Sequence, residues 1–568
     1  SVNLNWIRNT TQALISDATI ANNSSGGSAG DVTVEAYNRA SLSAFAGGGS
    51  FGGTLGASIA VSLNFLGGTP DDDGVGSTSS SETSNLVKAQ VDNADLIVDS
   101  LTMRSISDGT INALAISIAG GGTFAGSGAV SLNFMNRKSE ARISGGSDVD
   151  STNGVHVTSQ DASEIHSGAG QISLGGTGAV GGAVAYNELE TEVTSSIADS
   201  EVDTTVGSVE VVATSANTLG IFAAGISGGS TAGIAGSSSV NLVKSKVKAE
   251  IKNSTVNSAG AVRVEARSHD LLNNYVGTLG AGGTVGAAGS VIVNDFTNST
   301  RAFVDGGTIN TGNSNVVTRG WNDSTNDFHD VNRSGLVVVA SSEIEIAEQI
   351  SVSVAGGGAV GIGLNLSINT IGNDSDEIGT EAYVKGATVN QGAGNGALYV
   401  QALHRTYSKS YGGALGVGLS TAGAGASVDT NIFSRNVKAW LDNASSSSSS
   451  ASDDNNHNYT DAIIGAHSYE EVDSVAVAGG AGLYAGLAGA GVVVKSTTRT
   501  EAIINDVDMT LTGDLSLASS STSLITMGSG ALGGGAVGVG ASVAVVILDR
   551  TTNAAISSSE IIAADSYR

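Results

Sequence analysis

Ala57-Ser-Ile-Ala-Val-Ser-Leu-Asn64 alternates residue by residue, with Ser and Ala on one side of an extended chain and Ile59, Val61 and Leu63 on the other. A period of two puts successive side chains on opposite faces of a β-strand. A helix would need apolar residues at i, i+3, i+4 and i+7, a pattern the run lacks. Each internal glycine would also cost a helix about 0.5–1 kcal/mol relative to alanine. The run returns as Gly128-Ala-Val-Ser-Leu-Asn133, Ser238-Ser-Val-Asn-Leu242 and Ala541-Ser-Val-Ala-Val-Val546.

Working outward, this run closes the second segment (B) of a three-part repeat. Before it stands a short alternating segment (A), as in Val32-Thr-Val-Glu-Ala36, Val209-Glu-Val-Val-Ala213 and Val262-Arg-Val-Glu-Ala266. After it comes a third segment (C), as in Ala249-Glu-Ile251 with Ser254 and Val256. A segments begin at 32, 101, 155, 209, 262, 336, 398, 462 and 515, so the spacings are 69, 54, 54, 53, 74, 62, 64 and 53. The base period is near 53. Extra residues fall in 67–83, 312–335, 371–379 and 445–459. Two of these insertions follow B and two follow C, as expected when repeats share one shape and only their turns can grow. The reading is all-β: an elongated, parallel β-helix-like solenoid of about nine repeats of ~53 residues, one continuous array over 1–568, with 1–31 the end of a preceding repeat. One wide coil per repeat, or three narrow coils of about 18 residues, fits the period equally. Neither end shows the polar cap that solenoids need. This points to a piece of a longer array or to end-to-end stacking.

Composition narrows the function. The chain has 80 glycines, one proline, no cysteine and only 4% aromatic residues. Glycine at about twice its usual share, beside 40% hydrophobic residues, suits closely approaching strands rather than disorder. A net charge of −28 argues against nucleic acid and anionic lipid. Absent cysteine excludes disulfides and thiolate metal sites. No apolar run reaches the ~20 residues of a membrane-spanning helix; 530–548 comes nearest, and its glycines favour a strand pair.

Gly286-Ala-Ala-Gly-Ser-Val-Ile-Val-Asn294, the stretch from Asn298 to Ala302 and Val262–Ala266 after Gly260 resemble the repeat region of very large bacterial filamentous adhesins. These are the leukotoxin-type filamentous adhesins and filamentous-haemagglutinin-like exoproteins. The resemblance covers nearly the whole chain. It implies export to the cell surface, a solenoid, and a role in attachment, biofilm matrix or filament formation.

Candidate sites are few. Asp71, Asp72 and Asp73 precede a glycine, and Asp374, Asp376 and Glu377 are closely spaced; both sets offer oxygen ligands for Ca²⁺, against the alternative of solvated acidic turns. No other cofactor is expected. Trp321, Asp323, Asp327, Phe328 and His329 gather in one insertion. They form either a sugar- or partner-binding patch or a loop pinned to the solenoid by its aromatic rings. No H-E-x-x-H, G-x-S-x-G or P-loop motif occurs. The neighbouring pairs His269-Asp270 and Glu470-Glu471 are the thin candidates for acid–base chemistry.

The expectation is therefore a non-enzymatic structural or adhesive segment of a secreted bacterial surface protein, self-associating end to end or laterally, with surface or matrix polysaccharide as a partner. A carbohydrate-processing β-helix enzyme is the alternative. An ice- or mineral-binding solenoid ranks below it, because the threonines show no common register in the sequence.

Overall fold

The strand Val209–Gly229 pairs in parallel with Asp148–Gly175 on one side and Val262–Gly282 on the other. Val209 faces Val155 and Val262, so its partners lie one full repeat away in each direction. One repeat thus makes one wide coil, which decides between the two arrangements left open above. The computed structural model describes residues 1–21, 28–67, 69–70, 76–77, 85–372, 379–391, 396–442 and 457–563. The chain is an all-β solenoid, its coils joined in a single 25-stranded sheet.

Each coil has two parts. Asn241 falls where B crosses from one to the other. Towards segment C lies the body, where the start of A and the whole of C enclose an apolar core of residues such as Val211, Ala213, Ala249, Ile251 and Val256. A tight corner of the body lies between the two halves of segment C. Asp17, Asn93, Asp199, Asn253 and Asp506 all adopt positive φ there, from 46° to 53°. Asn and Asp tolerate this left-handed conformation better than other non-glycine residues, and Asn93 Nδ2 steadies the corner below it by donating to Asp17 Oδ1 at 2.6 Å. This is why the two apolar halves of C are separated by short polar residues.

The second part is a thin blade. The far half of A turns at Ser230 and Thr231 and runs back as B from Ala232. Between the two sheets lies a core of small residues, including Ala183, Ala185 and Ala223. At the tip the backbones come closer still. Gly121, Gly175, Gly229 and Gly282 stack in register. A Cβ on Gly282 would overlap the Val285 carbonyl, and one on Gly229 would press on that of Ala232. The recurring tip glycines are therefore packing positions and not linkers.

A line of asparagines runs through the waist of every coil from Asn5 to Asn431. Asn5, Asn64, Asn133, Asn187, Asn241, Asn294, Asn369 and Asn431 are successive partners in register. Each donates Nδ2 to the next Oδ1 at 2.7–2.9 Å. Parallel strands spaced about 4.8 Å apart bring identical amides into this geometry.

One expectation is corrected. Thr54, Thr123, Thr177, Thr231 and Thr284 do share a register. They stack at the exposed blade tip, each backbone N–H after the first donating to the threonine carbonyl before it. They form one column in a turn and not a flat array.

Candidate interaction surfaces

The insertion at 312–335 folds into an antiparallel hairpin, Val316–Asn322 against Asp327–Arg333, with Trp321 opposite Phe328. Its aromatic side chains turn towards the body. Trp321, Phe328 and Val331 pack on a small cluster of Val337, Val339, Tyr399 and Leu403. Trp321 meets Phe328 edge-on at 5.8 Å and stacks on His467 at 5.7 Å. Burial pulls the His467 pKa down to about 4, against the opposing pull of Asp323, whose carboxylate sits 3.7 Å away and is largely exposed. Asp323, Asp327 and His329 face outward. Of the five residues singled out in this stretch, two aromatics therefore anchor and three polar residues are presented to solvent.

Arg405 ties the hairpin to the sheet. Its Nη1 reaches Asp327 Oδ1 at 3.1 Å and Glu343 Oε1 at 3.0 Å. Glu343 in turn lies beside Glu345 and His269, which offer one ligand atom each within 4.8 Å of one another. His269 and Glu343 are register partners, and Glu345 is two residues along on the same face. One imidazole and two carboxylates suit a borderline divalent cation such as zinc, with Arg405 competing for one carboxylate. The local sequence around His269 did not reveal this grouping, because its members come from strands 74 residues apart.

Alternation separates the two pairs considered for acid–base work. His269 points out, whereas Asp270 points in, is fully buried and accepts from Asn217 at 2.6 Å and from Asn298. Burial raises the Asp270 pKa. Glu471 points out; Glu470 points in, 3.3 Å from the buried Arg435. Neither pair shares a face. Further along the same interior stripe, Arg137 and Asp161 form a buried ion pair at 2.9 Å. The stripe is a polar seam between the body core and the blade core. The calcium candidates Asp71, Asp72, Asp73, Asp374, Asp376 and Glu377 lie outside the described residues.

The largest feature is the blade itself. Residues 41–66, 109–136, 165–187, 219–242, 271–294, 349–371, 410–428, 474–494 and 524–548 contain no Asp, Glu, Lys or Arg. These segments make up most of the blade in each coil, so charge concentrates on the body and its turns. At the blade's inner border Glu348, Lys409 and Asp473 follow the outer A-face register of Gly220, and buried Asp429 lies two residues before Asn431. The outer faces of the blade are nevertheless apolar. Phe45, Phe222, Ile226, Leu279, Leu415 and Val477 are between 40% and 62% exposed on the A face. No family model, no curated protein and no solved structure matches the chain.

Proposed function

We propose that this chain is a non-catalytic structural and adhesive segment of a secreted bacterial surface protein, which associates with copies of itself into a fibre, sheath or matrix. The observation that carries the reading is the division of every coil into an acidic body and a blade that is free of charge beyond its inner border, repeated in register along the stack. An enzyme concentrates its chemistry at one place; here the same small residues return in each coil, and most buried polar groups serve the stacking itself. A net charge of −28 keeps bodies apart and soluble while leaving the outer part of the blades as the surface on which contact costs no charge desolvation. Solenoids present long surfaces of this kind for extended contacts. Electron microscopy of the purified chain tests the reading: rods, ribbons or fibres are expected, and compact single particles at all concentrations contradict it.

A second reading has one observation in its favour. Glu343 and Glu345 bring carboxylate oxygens within 4.8 Å, close to the separation of about 5–5.5 Å used by retaining glycosidases. A polysaccharide-processing site there would release reducing ends from a polysaccharide panel and lose that activity in Glu345→Gln. No release from any polymer removes this reading.

A further inference from the structure

We propose that two copies of this chain pack laterally, the A face of one blade against the A face of the other, with their acidic bodies at opposite outer edges. The proposal rests on the self-associating reading above and names its contact.

Three observations fix the occupant as a second copy. The first is charge. The A-face columns from Phe222 outward to the tip carry no charged residue in any coil, with Glu348, Lys409 and Asp473 bordering them on the body side. Contact through these columns desolvates no carboxylate and sets the two negative bodies as far apart as the coil width allows. A basic partner would find carboxylates only at the inner border, in Glu348 and Asp473, and none on these columns.

The second is area. Nine A strands about 4.8 Å apart, each giving about eight residues at roughly 3.3 Å to the uncharged face, make an area on the order of 1,100 Å². A standard interface needs about 800 Å² per partner, and monomers rarely leave apolar patches of more than a few hundred Å² open.

The third is relief. Along one outer column of the A face Phe45, Leu114, Gly168 and Phe222 are successive partners. The missing side chains of Gly168 and Gly220 leave a shallow depression of about 520 Å³ bordered by Phe45 and Leu114. The same face thus carries both projecting rings and the hollow to receive them, which is the requirement for a self-complementary two-fold contact.

The test uses the full chain. Sedimentation velocity across the micromolar range should show dimers or larger species for the unaltered chain. The double variant Ile226→Glu/Leu279→Glu places two carboxylates at adjacent, 41%-exposed positions of the A face. It should weaken association at least tenfold while keeping the same circular dichroism and urea midpoint. Because the chain has no cysteine, an Ile226→Cys variant should oxidise rapidly to a covalent dimer, whereas Lys246→Cys on the body should not. Association of undiminished strength in the double glutamate variant, or preferential cross-linking through Lys246→Cys, overturns this interface and leaves the self-associating reading intact. A chain that stays monomeric at every concentration overturns both. A monomer that instead binds phosphatidylcholine vesicles through Ile226 also overturns the proposal.

Discussion

Asn187 Nδ2 donates to Asn241 Oδ1 at 2.8 Å across 54 residues of sequence. The same bond joins eight asparagines in one direction, every donor pointing towards the C-terminal coils. The line ends at Asn431, which donates to Asp429 Oδ2 at 3.1 Å and Ser474 Oγ at 3.2 Å; in the next coils its position is taken by Val494 and Val546. A buried amide that has lost its partner costs about 1–3 kcal/mol, so each rung is held by its neighbours. The ladder thereby fixes the axial register of the coils, which small, interchangeable residues such as Ala and Ser would specify weakly.

Asn241→Ala removes the acceptor of Asn187 and the donor to Asn294. Asn294 Oδ1 keeps a second donor in Asn274 Nδ2 at 3.2 Å, so the loss falls mainly on Asn187. The expected destabilisation is about 1–3 kcal/mol, read as faster amide exchange in the two flanking coils. Asn5→Ala, at the half-buried first rung, should have a smaller effect.

Glycine positions divide into two kinds that substitution will separate. Gly282→Val places a side chain into the Val285 carbonyl where A and B meet, and should open the tip or prevent folding. Gly289→Ala enters open space and should be neutral or stabilise by up to about 1 kcal/mol, by restricting the unfolded chain. Urea unfolding midpoints of the two variants test the distinction; equal losses would contradict it.

The hairpin should loosen in acid. Burial holds His467 neutral, with its pKa lowered to about 4 from an ordinary value near 6.5. A depressed pKa means that stability is present in full above about pH 6.5 and is lost as the pH falls towards 4. Trp321 stacks on this ring, so the difference in tryptophan emission between the unaltered chain and Trp321→Phe should change over that window. His467→Gln should abolish the change.

Asp429 has the opposite sign. It is fully shielded, and burial raises its pKa against the bonds it accepts, including one from Ser410 at 2.8 Å. Its contribution is therefore complete at low pH and diminishes as the pH rises through the elevated value. Asp429→Asn should be more stable than the unaltered chain at pH 7 and lose that advantage on acidification, as measured by thermal melts at several pH values.

Much of this fold was legible because β-strands write their two faces into alternate residues. Ala57–Asn64 announces a strand without any partner, and repetition announces the stack. The asparagine line was also present, recurring at the repeat phase in Asn64, Asn133 and Asn294, but alternation alone marks a face as inner or outer and not as a column of matched donors and acceptors. The stacked threonines escaped notice for a related reason: Thr123 and Thr177 lie in the tip turn, where alternation breaks off. Coil width was not legible, since a 53-residue period fits one circuit or three. Nor was the orientation of Trp321 and Phe328, because which side of a hairpin faces the body depends on a surface assembled from Val339, Tyr399 and Leu403 in two other strands. The grouping of His269 with Glu343 and Glu345 has the same origin.

The central claim is that one repeat makes one wide, parallel coil, and paired cysteines measure it most directly. Thr218 and Leu271 are register partners in adjacent coils. Their Cα atoms should stand about 4.8 Å apart, within the 4.4–6.8 Å reach of a disulfide. Thr218→Cys/Leu271→Cys should therefore close an intramolecular disulfide on mild oxidation, detected by peptide mapping. Thr218→Cys/Gly236→Cys, one narrow coil of about 18 residues apart, should stay reduced. Efficient closure of the second pair with none in the first would contradict the account.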